Sequence, residues 1–192
     1  MDETCGQLID YLKGKGVYED TLFVYTCDNG WRQNPNKRNR DDDNSKRHPT
    51  EMGIRTPIFI THAGGIKPAV DKTTLASNID IAPTILKACD IAVPEEMSRL
   101  DLRDRGILQD RNRIFVEVYG HDSDLDMLND INNGIQARVI IDGWDKLIWR
   151  PEYMELYDLK NDPDDQNDLR EQNTEKVSAL EEFLDLWRKE TM

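Results

Sequence analysis

Apolar positions change their spacing along this chain, and the changes mark out its elements. Met1, Cys5, Leu8, Ile9 and Leu12 recur at the i, i+4, i+7, i+8, i+11 intervals of one helical stripe. Lys13-Gly14-Lys15-Gly16 follows, with cations and glycines where a helix C-terminus favours them. No capping residue precedes the stripe. The helix is therefore expected to be already in progress at Met1, as in the later part of a longer protein. Residues 21–26, "TLFVYT", predict a buried strand, and Asp28-Asn29-Gly30 after it predicts a turn. Residues 31–50 are polar, charged and nearly free of aliphatic side chains, which predicts a long loop. Loops of that length inside compact domains are usually functional or disordered. A second buried strand is expected over 57–61, ended by Gly64-Gly65. "SNIDIAPTILKACDI", residues 77–91, predicts a helix capped by Asp80, with Pro83 in its first turn and Ile81, Ile85, Leu86 and Cys89 as its stripe.

After about residue 110 the spacing shortens. "RIFVEVY" (113–119), "IQARVIID" (135–142), "WDKLIWR" (144–150) and "MELYDL" (154–159) are short strands with tight polar connections, the pattern of an antiparallel meander. A turn-rich loop spans 161–169. Val177, Leu180, Leu184 and Trp187, flanked by Phe183, then mark a last amphipathic helix expected to pack on that sheet. The fold class is α/β, divided into 1–110, with strand, loop, strand and helix in alternation, and 111–192, a small antiparallel sheet with a terminal helix.

Composition narrows the functions open to such a fold. The chain has 192 residues, enough to bury a core, and 33% of them are charged. Apolar runs are a few residues long, far short of the ~20 that span a bilayer. The first residues lack the basic and apolar regions of a secretory signal, and compartment stays open. The net charge is -13, and the basic "NKRNR" at 36–40 is offset at once by "DDDN". Nucleic-acid binding is excluded on that balance. Cys5, Cys27 and Cys89 form no CxxC pair and are odd in number, so small buried thiols are expected rather than a zinc site or a disulfide framework.

Three stretches could carry chemistry. Asp28 and Asn29 lie just past the carboxyl end of a strand, where open α/β sheets bind ligands, and both offer the hard oxygens that Ca²⁺ and Mg²⁺ take. On these residues alone, an ordinary Asn-Gly turn is the better explanation. "SKRHPTEMGIRTP", residues 45–57, gathers Lys46, Arg47 and His48, cations that suit an anionic substrate or a solvated basic patch. "ELYDLKNDPDDQNDL", residues 155–169, is rich in carboxylates but lacks the central glycine and the twelfth-position Glu of an EF-hand, so it reads as turn chemistry. No G-x-S-x-G or Walker motif is present, and His48, His62 and His121 have no metal-ligand spacing.

Taken in order, "TLFVYTCDNG", "KRHPTEMGIRTPIFI", "SNIDIAPTILKACDI", "GWDKLIWR" and "ELYDLKNDPDDQNDL" resemble the C-terminal part of a type I, formylglycine-dependent sulfatase of the alkaline-phosphatase-like superfamily. The resemblance runs from residue 1 to about 188. It implies a partial alkaline-phosphatase-like mixed sheet with flanking helices, followed by the small C-terminal sheet and its helix. It implies that Asp28 and Asn29 are Ca²⁺ ligands, the remaining ligands lying in a missing N-terminal part of the catalytic domain. Lys46 inherits a contact to the sulfate group, and His48, at a variable place in the motif, a weaker substrate contact. Thr50 and Met52 stand where the family usually has Tyr and Gly. Glu51 and Arg55 match positions expected to shape the loop, as an ion pair. The nucleophile motif, Cys/Ser-x-Pro/Ala-x-Arg, fits none of the three cysteines, so the chain alone is expected to be inactive. The implied substrate of the complete enzyme is a sulfated small molecule or carbohydrate. A non-catalytic acidic Ca²⁺-binding or interaction remnant and a phosphate or phosphonate ester hydrolase of the same superfamily are the alternatives.

Overall fold

The structure is a computed structural model that describes residues 2–30, 46–97, 100–120 and 134–191. The greater part of the 31–50 loop and His121 lie outside the described residues. The chain forms two compact units. Met1–Cys27 with Pro57–Arg111 make the first, and Asp28–Thr56 with Asn112–Met192 make the second.

The first unit opens with α1 (Asp2–Gly14). Its C-terminus closes as the glycines predict. Val17 N–H donates to Leu12 O and Gly16 N–H to Lys13 O, with Gly16 at φ +70, the paired bonds of a Schellman cap. None of its residues is buried, and Ile9 and Leu12 are half-buried, so the predicted apolar stripe is only partly covered. Strand β1 (Leu22–Thr26) pairs antiparallel with β2 (Ile58–His62). A parallel return needs a crossover element, usually a helix on the same sheet. The one described helix in this connection has four residues and belongs to the other unit.

Beyond β2, a 3₁₀ turn (Asn78–Asp80) leads into α3 (Ile81–Ala88), and α4 (Arg105–Gln109) follows. Asp80 makes no side-chain cap to α3. Its carboxylate instead accepts the Ser77 N–H at 2.9 Å and a two-pronged bond from the Arg111 guanidinium. Asp80 is fully buried, and the pairing meets the cost of placing a carboxylate there. Thr84 ties the same turn down: its hydroxyl donates to Asp80 O at 2.6 Å and accepts Leu102 N–H at 2.9 Å.

The second unit contains α2 (Glu51–Ile54), β3 (Arg113–Tyr119), β4 (Ile135–Asp142), β5 (Asp145–Trp149), β6 (Met154–Asp158) and α5 (Thr174–Thr191). The four strands form one antiparallel sheet in chain order, as the meander pattern predicts. Register sorts their side chains. Ile140, Leu147 and Leu156 are cross-strand partners and share one face. They pack with Leu180 and Leu184 of α5 into the core. Burying each such side chain contributes about 1.5–3 kcal/mol. Phe115 stacks on Trp187 with ring centroids 4.7 Å apart, which extends the contact between sheet and helix. The opposite face carries Ile141, Lys146 and Tyr157, also cross-strand partners. A lysine at a fully buried strand position requires a built partner.

The three thiols depart from expectation. They are free, Cys5 and Cys89 are exposed, and none is buried.

Candidate functional site

Asp28-Asn29-Gly30 follows β1 by one residue, and the structure ties this turn to the motif segment 46–55. Gly30 N–H donates to Gly53 O at 2.8 Å. A Cβ on Gly30 would lie 2.5 Å from Met52 O and 2.9 Å from Arg55 O. Only glycine allows so close an approach, so the third residue of the turn is set by docking against α2. Helix α2 is a single turn, in which Gly53 and Ile54 donate to Thr50 O and Arg55 to Glu51 O. Sequence reading did not anticipate it. Four residues with a glycine inside show no helical periodicity.

Next to the turn, Lys46 Nζ lies 3.7 Å from Asp28 Oδ2, and both side chains are well exposed, at 62% and 80%. Asn29 Nδ2 donates to Gly30 O at 2.7 Å. Arg47, between Lys46 and His48, has φ +68, an uncommon backbone conformation for a side-chain-bearing residue. His48 Nδ1 lies 2.9 Å from Thr50 Oγ1 and accepts the Thr50 N–H at 3.4 Å, so this nitrogen shapes the entry to α2. The structure therefore brings Asp28, Asn29, Lys46 and His48 into one local segment pair. As oxygen donors, Asp28 and Asn29 suit a hard cation but supply two positions of the six to eight that Ca²⁺ takes. Among the described residues, no group of three or more His, Cys, Asp or Glu side chains could hold a metal.

Behind this segment lies a buried charge cluster that the sequence concealed. Glu51 does not pair with Arg55. Its Oε1 accepts Lys146 Nζ at 2.9 Å, while Arg55 reaches Pro163 O at 3.5 Å. Lys146 is fully buried, and a buried carboxylate takes the cation inside with it rather than an exposed one. Lys146 Nζ also donates to Asp165 Oδ2 at 2.8 Å, and that same oxygen accepts Glu51 N–H at 2.8 Å. Asp165 Oδ1 is buried with no hydrogen-bond partner. Burial pushes the Asp165 carboxyl above its ordinary range, against the pull of Lys146. Asp165 sits at φ +44. The rest of its loop is the turn chemistry expected: Asp162 Oδ2 accepts the N–H groups of Gln166 and Asn167, both at 2.7 Å.

The fold recurs within two larger solved structures. BT4656, in complex with its substrate D-glucosamine-2-N,6-O-disulfate, superposes with a TM-score of 0.75 at 23% identity, covering 98% of this chain and 38% of that one. A phosphonate monoester hydrolase from Silicibacter pomeroyi superposes with a TM-score of 0.72 at 20% identity, covering all of this chain and 39% of that one. Residues 43–189 match the family of N-sulphoglucosamine sulphohydrolase C-terminal domains, and the chain belongs to that family. It is 23% identical to an N-acetylglucosamine-6-O-sulfatase of Bacteroides thetaiotaomicron over 99% of its length and 34% of the relative's. It is 33% identical to an N-acetylglucosamine-6-sulfatase of Capra hircus, over 62% of this chain and 22% of that one. The chain thus spans about a third or less of these relatives.

Proposed function

We propose that this chain supplies half of a cation site and a sulfate-contacting lysine to a sulfatase acting on a sulfated carbohydrate. The reading rests on one observation above the others. The Asp28-Asn29-Gly30 turn is docked on the segment that carries Lys46, so two hard oxygens and a cation share one surface. Asp28 and Asn29 would hold Ca²⁺, with the remaining ligands supplied by an N-terminal part of the catalytic domain. Bound there, the ion would neutralise charge on the sulfate oxygens. Lys46, on its flexible stem beside the Asp28 carboxylate, would meet an anion held at the same turn and stabilise charge developing on it. His48 orders the loop through Thr50 and stands near enough in sequence to add a second contact. The three cysteines lie outside any Cys-x-Pro/Ala-x-Arg pattern, so the nucleophile comes from elsewhere and the isolated chain is inactive. The sulfated carbohydrate is inferred from the names of the relatives and from the substrate of the similar structure.

A chimaera places residues 1–192 behind the N-terminal part of the Bacteroides relative. It is expected to hydrolyse an aryl sulfate, and its Lys46→Ala form to do so roughly 10²-fold more slowly. The isolated chain with Ca²⁺ is expected to give no turnover. Metal-dependent turnover by the isolated chain, or full activity in the Lys46→Ala chimaera, contradicts the reading. Preferred cleavage of an aryl phosphonate by the chimaera would move the substrate class to that of the phosphonate hydrolase of the same fold.

A further inference from the structure

The buried cluster of Lys146, Glu51 and Asp165 has no part in the chemistry above, yet it has a distinctive placement. Lys146 lies on β5, on the sheet face opposite the α5 core. Its two carboxylate partners come from α2, 95 residues away in sequence, and from the loop after β6, 19 residues away. Asp165 doubles the link by accepting the Glu51 backbone N–H, the first of α2. From α2 the connection continues through Gly53 O to Gly30 N–H, next to Asn29. Each joint in this path is short, buried or sterically exclusive, whereas the exposed Lys46–Asp28 contact at 3.7 Å fixes little.

We infer that Lys146 is a positioning residue: through Glu51 and Asp165 it fixes α2, and through Gly53 it fixes the Asp28-Asn29-Gly30 turn on the sheet. This rests on the reading of that turn as a cation site only for its functional meaning; the mechanical claim stands on the geometry. A buried lysine with two carboxylates is a costly way to gain stability, since an apolar side chain of similar volume often does as well. What the ion cluster adds is directional: it accepts one arrangement of α2 over the sheet and leaves sliding arrangements with unpaired buried charge.

The test is amide hydrogen exchange on the full chain, without metal or substrate. In Lys146→Met, the Gly30 amide and the Gly53, Ile54 and Arg55 amides of α2 are expected to lose their protection and exchange like unstructured amides. The β3–β4 ladder is expected to stay protected. Glu51→Gln, which keeps the shape and leaves Lys146 paired with Asp165, is expected to speed Gly30 exchange by about 10-fold, again without opening the ladder. A role confined to bulk stability would move all these amides together. Gly30 protection that keeps its wild-type ratio to the ladder in both variants overturns the inference. Because no metal is involved, the outcome is separable from the cation reading: exchange can follow the cluster while Ca²⁺ fails to bind, or the reverse.

Discussion

The two units of this chain bury different kinds of side chain. Among the described residues, the buried apolar side chains of the first unit are Leu108 and Pro83, and the others belong to the second unit. The first unit buries polar groups instead, Asp80, Thr84 and Asp101, while Leu8, Tyr11, Phe59, Val70, Ile79 and Ile91 are more than half exposed. One unit is held by an apolar core between a sheet and a helix. The other is held by a two-stranded ladder, a Schellman cap and the Asp80–Arg111 pair. Two strands alone are marginal in water, and exposed strand edges invite pairing with further chain. The second unit therefore has the means to fold by itself, and the first has an apolar surface suited to burial against more protein. In the proposed function, that protein is the N-terminal part of the catalytic domain.

The contrast can be broken by substitution. The largest effect is expected from Arg111→Met, which leaves the buried Asp80 carboxylate without its guanidinium and costs about 3–5 kcal/mol. Loss of β1–β2 amide protection with the second unit intact is the expected signature. In the second unit, Leu147→Ala removes a fully buried side chain of the core and should cost about 2–5 kcal/mol in urea unfolding. Leu8→Ala, at a 52% exposed position, should cost under about 0.5 kcal/mol. Equal costs at the two leucines would erase the distinction drawn here.

The units also differ in their response to pH. In the second, burial raises the Asp165 carboxyl above its unfolded value. The folded state then binds the proton more tightly, and this contribution to stability is complete at low pH. It is lost as pH rises from the ordinary carboxylate value, about 3.9, through the raised folded value. In the first, burial pushes Asp101 up, but its bonds from Arg103 outweigh that and leave the carboxyl below its ordinary value. Its contribution is present above the ordinary value and lost as pH falls through the lowered one. Asp165→Asn should therefore flatten a loss on the rising-pH side, and Asp101→Asn a loss on the acid side, in urea midpoints measured across pH 2–7. A small effect is also expected at the candidate site. Lys46→Ala should change stability by about 0–1 kcal/mol, because the exposed pair with Asp28 is screened by water. A large loss would make Lys46 a structural residue.

The second unit was more legible in sequence than the first. Strands over 113–119 and 135–142 read directly from alternating and β-branched residues that one sheet requires. The order of five motifs pointed to the family that residues 43–189 match. Elsewhere the sequence carried too little. The stripe of α1 reads as a buried face, yet it is at most half-buried, at Ile9 and Leu12. Asp80 resembles a helix cap but is captured by Arg111, 31 positions later. Glu51 seemed placed for Arg55, four residues on, and is held by Lys146 from another element. Long-range pairing of buried charge leaves no periodic trace, and "WDKLIWR" reads as any half-polar strand. Gly30 is the instructive case. The Asn-Gly pair looks like an ordinary turn, and only the approach of Met52 and Arg55 shows why no side chain fits there.

The proposed cation site is tested most directly by titrating the full chain with Ca²⁺ while following backbone amide resonances, with Asp28→Ala as the control. Saturable shifts centred on Asn29 and Gly30, in the millimolar range expected for two protein ligands and water, and absent in Asp28→Ala, are the predicted result. Resonances of Asn29 and Gly30 that stay still, or that move alike in both proteins, would contradict the claim that this turn holds the metal.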